Sequence, residues 1–99
     1  MFDGLGIIMS FFAGFVHTER GVTCSDSRFI ELSTAQECKL LGLTYAKSFN
    51  SKAYYRSEGS WSHNPKGCYI YDSGTMHFNT HSTGGSKSST MSICRNGNT

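Results

Sequence analysis

The sequence predicts a small α+β fold: an antiparallel sheet of four to five strands, stapled by disulfides, with one helix packed on it. Three observations carry this expectation. Cys24, Cys38, Cys68 and Cys94 form an even set spread along 99 residues, and a chain this short buries too little apolar surface to hold together easily without staples. One segment carries start and stop signals for a helix. The second half supplies β-prone runs separated by tight-turn residues.

The N-terminus comes first. Leu5 to Val16 (LGIIMSFFAGFV) is an uncharged apolar run. It has the length of a signal-peptide core and is too short to cross a bilayer of ~30 Å as a helix. It reads as a signal peptide within an N-terminal leader covering residues 1–21, even though Asp3 stands where a basic residue is usual and no clean cleavage site follows. A linker, the end of a preceding element, or a glycine- and phenylalanine-rich membrane-inserting segment are the competing readings. The polar step His17-Thr18-Glu19-Arg20-Gly21 marks the boundary, so residues 22–99 are expected to form one module, with no stable membrane span in the mature chain.

Within the module, Arg28 to Leu32 (RFIEL) alternates polar and apolar residues and predicts a short strand with Ile30 and Leu32 on one face. Ser33 opens a helix: Ser33 with Gln36, or Thr34 with Glu37, supplies a capping box. Ala35, Cys38 and Leu41 recur every three residues, which puts Cys38 on the buried stripe. Gly42 is expected to end the helix in a left-handed C-cap, with Leu43 making the accompanying apolar contact. Ala53 to Tyr55 is a further short strand candidate.

Asn64-Pro65-Lys66-Gly67 has the residues of a type I turn and leads into Cys68. Cys68 to Asp72 (CYIYD) and Thr75 to Asn79 (TMHFN) then read as a hairpin, with Gly74 at a positive-φ position. Thr80 to Ser89 (THSTGGSKSS) reads as a flexible surface loop, and Thr90 to Arg95 (TMSICR) as the closing strand.

Four cysteines allow three pairings, and the sequence alone does not choose among them. The arrangement that suits the predicted elements joins Cys24 to Cys94 as a clasp on the module ends and Cys38 on the helix to Cys68 at the hairpin. Each closure is worth about 3.5 to 4.5 kcal/mol on the chain-entropy model. A zinc site using these cysteines with His63, His77 or His81 is the alternative, but structural zinc ligands come in close pairs and every cysteine spacing here exceeds ten residues. No metal and no cofactor is expected.

Glu37-Cys38, Leu41-Gly42-Leu43, Pro65-Lys66-Gly67-Cys68-Tyr69, Phe78-Asn79 and Ile93-Cys94-Arg95 together resemble a cysteine-bracketed module of secreted proteins in algae and protists, which in turn is similar to PAN/Apple domains. The resemblance runs from Cys24 to Arg95. It implies a helix on an antiparallel sheet, a disulfide tying helix to sheet, a bridge between the termini, and non-catalytic binding of proteins or carbohydrates in adhesion. The four cysteines are fewer than the family commonly has.

Composition narrows the function classes. Nine basic against seven acidic residues give a net charge of +2 with no basic stripe, which leaves nucleic acid without the clustered cations that counterion release requires. Histidines, acids and serines are present, yet no G-x-S-x-G, H-E-x-x-H or phosphate-loop pattern organises them. His77 and His81 read as solvated side chains. Catalysis is therefore not expected.

The aromatic residues are the better material. In the strand Tyr69-Ile70-Tyr71, alternation turns Tyr69 and Tyr71 outward if Cys68 and Ile70 face the core. Those tyrosines with Trp61 form the expected ligand-binding surface, rimmed by Lys66 and Arg56, for a glycan or an extracellular protein. The chain is thus expected to be a secreted, extracellular binding or adhesion module. The alternative is a purely structural unit of a coat, wall or matrix.

Overall fold

Residues 14–97, which the computed structural model describes, form one sheet of six strands with a single helix across it. The strands are β1 (Phe15–His17), β2 (Ile30–Glu31), β3 (Tyr54–Gly59), β4 (Gly67–Tyr71), β5 (Thr75–Asn79) and β6 (Thr90–Arg95); the helix, α1, spans 35–46. The order across the sheet is β1-β6-β4-β5-β3, and β2 also pairs with β6. Since β1 and β4 both pair with Ile93, they lie on opposite edges of β6; β2 faces Cys94 and Arg95 as β1 does, so it continues the line of β4.

The sheet is mixed, not purely antiparallel. β3 runs parallel to β5, in register Tyr54↔Thr75 to Gly59↔Asn79, while the remaining pairs are antiparallel. A parallel neighbour needs a crossover. Here the loop 60–66 and the whole of β4 form it, carrying the chain back so that β5 starts beside the start of β3. This partner choice is nonlocal, which is why the short Ala53 to Tyr55 run announced neither the length nor the direction of β3.

α1 starts as expected and ends differently. The Thr34 hydroxyl accepts the Glu37 amide at 3.0 Å, and the Glu37 carboxylate accepts the Ser33 amide at 3.0 Å, so the reciprocal bond lands one residue before the cap. Gly42, however, has helical φ of −60° and the helix continues to Ala46. Its role is spatial. A Cβ at Gly42 would stand 3.1 Å from the Cys68 sulfur and 3.3 Å from Leu32 Cδ1, so the missing side chain lets the helix lie against β4. The turn Cys38–Gly42 is a widened π turn, and burial follows Cys38, Gly42 and Ala46 while Leu41 is turned outward, 38% exposed.

The core between helix and sheet contains Leu32, Cys38, Ala46, Ala53, Cys68, Ile70, Met76, Phe78 and Ile93. Each large aliphatic or aromatic member contributes about 1.5–3 kcal/mol through burial. The disulfides are Cys38–Cys68, joining α1 to β4, and Cys24–Cys94, tying the 3-10 turn at Ser25–Ser27 to β6; among the described residues no cysteine is free. Closing 30 and 70 residues removes about 3.6 and 4.4 kcal/mol of unfolded-chain entropy on the loop model, less than additively because the loops are nested.

Two further expectations are corrected. First, the sheet reaches upstream of Val22: β1 lies inside the stretch read as leader, pairing Phe15↔Arg95 to His17↔Ile93. Thr18 is buried, its amide donating to Ser92 O at 3.0 Å and its hydroxyl to Val22 O at 2.7 Å. A three-residue strand is too short to show a period. The earlier part of the apolar run, residues 1–13, lies outside the described residues. Second, Ile30 is 53% exposed and only Leu32 of its pair enters the core. The loop 80–89 stands where expected at the surface and is hydrogen-bonded to its surroundings: the His81 ring accepts the Gly84 amide at 2.9 Å, and the Gly85 amide donates to Asn64 O at 2.9 Å. No helix among the described residues is long and apolar enough to cross a membrane.

Candidate functional site

The outer face of the sheet, opposite α1, is built by strand alternation. On β4, Cys68 and Ile70 belong to the core, so Tyr69 and Tyr71 stand on the other side. On β5, Met76 is buried and Phe78 packs in the core, which sends Thr75, His77 and Asn79 outward. β3 would contribute Arg56 opposite His77, but the register shifts between Tyr55 and Ser57, so Ser57 pairs with His77 and Arg56 is the extra residue of a bulge. The result is a row across the sheet of Ser57, His77, Tyr69 and Ser92.

Trp61 closes over this row from the loop after β3. Its backbone is held by Asn79, whose carboxamide oxygen accepts the Trp61 amide at 2.9 Å and whose nitrogen donates to Trp61 O at 2.7 Å. The same nitrogen donates to Asn64 O and Pro65 O at 2.9 and 3.1 Å, so one buried side chain organises the whole loop. Gly59 makes room for the indole: a Cβ there would come within 2.5 Å of the ring.

His77 is the centre of the rings. Its centroid lies 5.3 Å from Trp61, 5.6 Å from Tyr69 and 5.9 Å from Tyr71, and Trp61 and Tyr71 both meet it edge to face, an arrangement favoured by the aromatic quadrupole. His77 Nδ1 is 3.0 Å from the Ser57 hydroxyl. Burial lowers the imidazole pKa below its ordinary 6.5; Ser57 opposes the shift and the charge of Arg56 adds to it. Tyr69 is only 1% exposed, with its hydroxyl accepting from Asn64 Nδ2 at 2.9 Å. Burial, with Tyr71 beside it, pushes its phenol well above the usual range.

The residues singled out from sequence therefore divide. Trp61 and Tyr71 are half-buried at the surface of the cluster. Tyr69 is on the same face but is a floor, not a contact residue. Arg56 is exposed and stands on the edge strand between Tyr55 and Ser57, the partners of Met76 and His77; its charge acts on His77, and the Tyr54 phenol is held below its ordinary value by Thr75 first and Arg56 second. Lys66 lines a different feature, a cleft of about 410 Å³ with Glu31, Leu32, Ser33 and Phe78. Sequence reasoning missed His77, Ser57 and Asn79. Alternation in Thr75-Met76-His77-Phe78-Asn79 contained the signal for His77 and Asn79, whereas the bulge that delivers Ser57 left no local mark.

A serine hydroxyl beside an imidazole is the beginning of a nucleophile and base pair, and its further requirements are an acid orienting the ring and donors for an oxyanion. No carboxylate is hydrogen-bonded to His77 among the described residues. Nor, among the described residues, does any group of three or more histidine, cysteine or acidic side chains converge as metal ligands. What the arrangement offers is two partly exposed rings packed over a buried polar and aromatic floor. Comparison with family models, curated proteins and solved structures finds no match for the chain.

Proposed function

We propose that this chain is a non-catalytic extracellular binding module that takes carbohydrate, or a protein of a polysaccharide matrix, on the outer face of its sheet through Trp61 and Tyr71. The observation that carries this reading is the fixed, half-exposed ring cluster. Trp61 is clamped through both its backbone groups by Asn79 and its indole packs edge to face on Tyr69 and His77, so the loop and ring are already placed and less ordering remains to oppose binding. Flat rings with polar edges suit the apolar face of a sugar. Two disulfides favour an oxidising, secreted setting. The PAN/Apple likeness belongs to the same proposal, supported by a helix-to-sheet bridge and a bridge near the module ends.

The test is retention on immobilised polysaccharides and matrix extract. Tyr71→Ala and Trp61→Ala are expected to lose retention at least about tenfold, the size of one lost stacking contact of ~1.4 kcal/mol, with the folded spectrum and disulfides intact. Unchanged retention by both variants overturns the reading. The burial of Tyr69 favours a second one, in which the rings serve the fold alone and the chain is a structural unit of a coat, wall or matrix. On that reading the parent protein itself is not retained.

A further inference from the structure

Resting on that reading, we infer that the sugar taken by the outer face is anionic, a carboxylate-bearing residue of an acidic polysaccharide, with the Arg56 guanidinium as the group that meets its charge.

The inference follows from where the charges lie around the rings. Arg20 is paired with Asp72 at 2.7 Å and Arg95 with Glu37, but Arg56 has no carboxylate partner among the described residues. It stands on β3 between Tyr55 and Ser57, the partners of Met76 and His77, and its charge acts on the His77 imidazole and the Tyr54 phenol. Two acids on or next to the strands of this face, Glu58 and Asp72, are both diverted. Glu58, two residues along the same strand, lies past the bulge on the helix side, lining a cleft with Tyr55, Gln36 and Lys39. Asp72, which follows Tyr71, is taken by Arg20. The aromatic face is therefore left with an uncompensated cation at its rim.

The cation is also placed. The β3 bulge takes Arg56 out of the ladder and gives its place opposite His77 to Ser57, and bulges commonly re-aim a side chain in this way. Tyr54, two residues before it on the same strand, is anchored by a hydrogen bond from Thr75 at 3.1 Å. An exposed guanidinium at this position keeps donors free for a planar carboxylate, which it can engage through two parallel bonds. A sugar carrying a carboxylate presents an apolar ring face to Trp61 or Tyr71 and an anion to Arg56 at once, whereas a neutral sugar uses only the rings.

Affinity electrophoresis of the full, oxidised chain through gels containing polygalacturonate or a neutral β-glucan tests this. Polygalacturonate is expected to retard the protein more strongly, and Arg56→Gln to weaken that retardation about threefold to fivefold, the worth of one partly exposed ion pair, while leaving any retardation by β-glucan unchanged. Raising the salt concentration should erode the same increment. Arg56 is exposed, and Trp61 fluorescence checks that the variant is folded. If both polymers retard the parent equally, or Arg56→Gln changes neither while Tyr71→Ala abolishes both, the anionic assignment falls and the aromatic reading survives. If neither polymer retards the parent and matrix extract does not retain it, both fall.

Discussion

The two faces of the sheet carry the same device used for opposite ends. Under the helix, Phe15, His17, Tyr45 and Phe49 form a ring cluster in which His17 stacks on Phe49 at 3.9 Å and its Nδ1 lies 2.8 Å from the Tyr45 hydroxyl. On the outer face Trp61, Tyr69 and Tyr71 surround His77, whose Nδ1 lies 3.0 Å from the Ser57 hydroxyl. Each cluster centres on an imidazole held by a hydroxyl and pushed toward its neutral form by burial. The inner one joins β1 to α1 and is capped by Arg95, which sits 5.5 Å over Phe15 and is itself paired with Glu37. Among the described residues the outer one has no covering element of its own, and Arg56, on the strand beside it, has no carboxylate partner. Rings that join two elements are consumed by packing; rings on a single sheet face are fixed yet available.

This contrast is sharpest within β4. Tyr69 and Tyr71 share a face but not a role, and Tyr69→Ala is expected to destabilise the fold by about 3–5 kcal/mol, as for other large buried aromatic truncations. Tyr71→Ala, at the half-exposed end of the strand, should cost less than about 1 kcal/mol. Denaturation midpoints of the two variants decide the matter, and equal losses would make the outer cluster as structural as the inner one.

Gly42→Val probes the helix side. The added side chain would press on the Cys68 sulfur and Leu32, so a loss of about 1–3 kcal/mol from overpacking is expected, with ligand retention by the outer face preserved at temperatures where the variant is folded. Retention that falls in step with Gly42→Val in the folded state would mean that the two faces are coupled through β4.

The smallest expected effect is a pH dependence shared by both clusters. Burial lowers the pKa of His17 and of His77 below 6.5 in the folded state. As pH falls below 6.5 the unfolded chain takes up protons first, so stability is complete above that value and declines as pH drops through the lowered folded-state values. Denaturation midpoints between pH 7.5 and 5.5 should fall for the parent, less for His17→Gln or His77→Gln alone, and least for the double variant. A parent midpoint that rises toward pH 5.5 would contradict the burial of both rings.

Much of the fold was legible because its signals are local. The strands Thr75–Asn79 and Thr90–Arg95 stand where alternation and turn residues put them, and Gly74 turns the hairpin at φ of 101° with its amide donating to Tyr71 O at 2.9 Å. The Thr34 and Glu37 cap is likewise a property of four consecutive residues. The ring cluster was only half legible: Trp61, Tyr69 and Tyr71 were singled out by residue type and do lie together around His77, whereas His77 was passed over as solvated because its surroundings depend on which neighbours the sheet brings to it.

By itself the sequence determined the α+β class, the helix start, the hairpin, and an even cysteine set suited to stapling a short chain, while which cysteines pair was left to the fold, which joins Cys24 to Cys94 and Cys38 to Cys68. Each follows from forces acting over a few residues, or from the entropy of closing loops, which depends on chain length alone. The tertiary structure decided the rest. β1 joins the sheet because β6 has an edge to offer, β3 runs parallel because β5 is its neighbour, and Gly42 is helical because the Cys68 sulfur occupies the space that a side chain there would need. It also decided which tyrosine is floor and which is surface, since Tyr69 and Tyr71 have the same side chain and the same facing, and differ only in what the loop held by Asn79 lays over them.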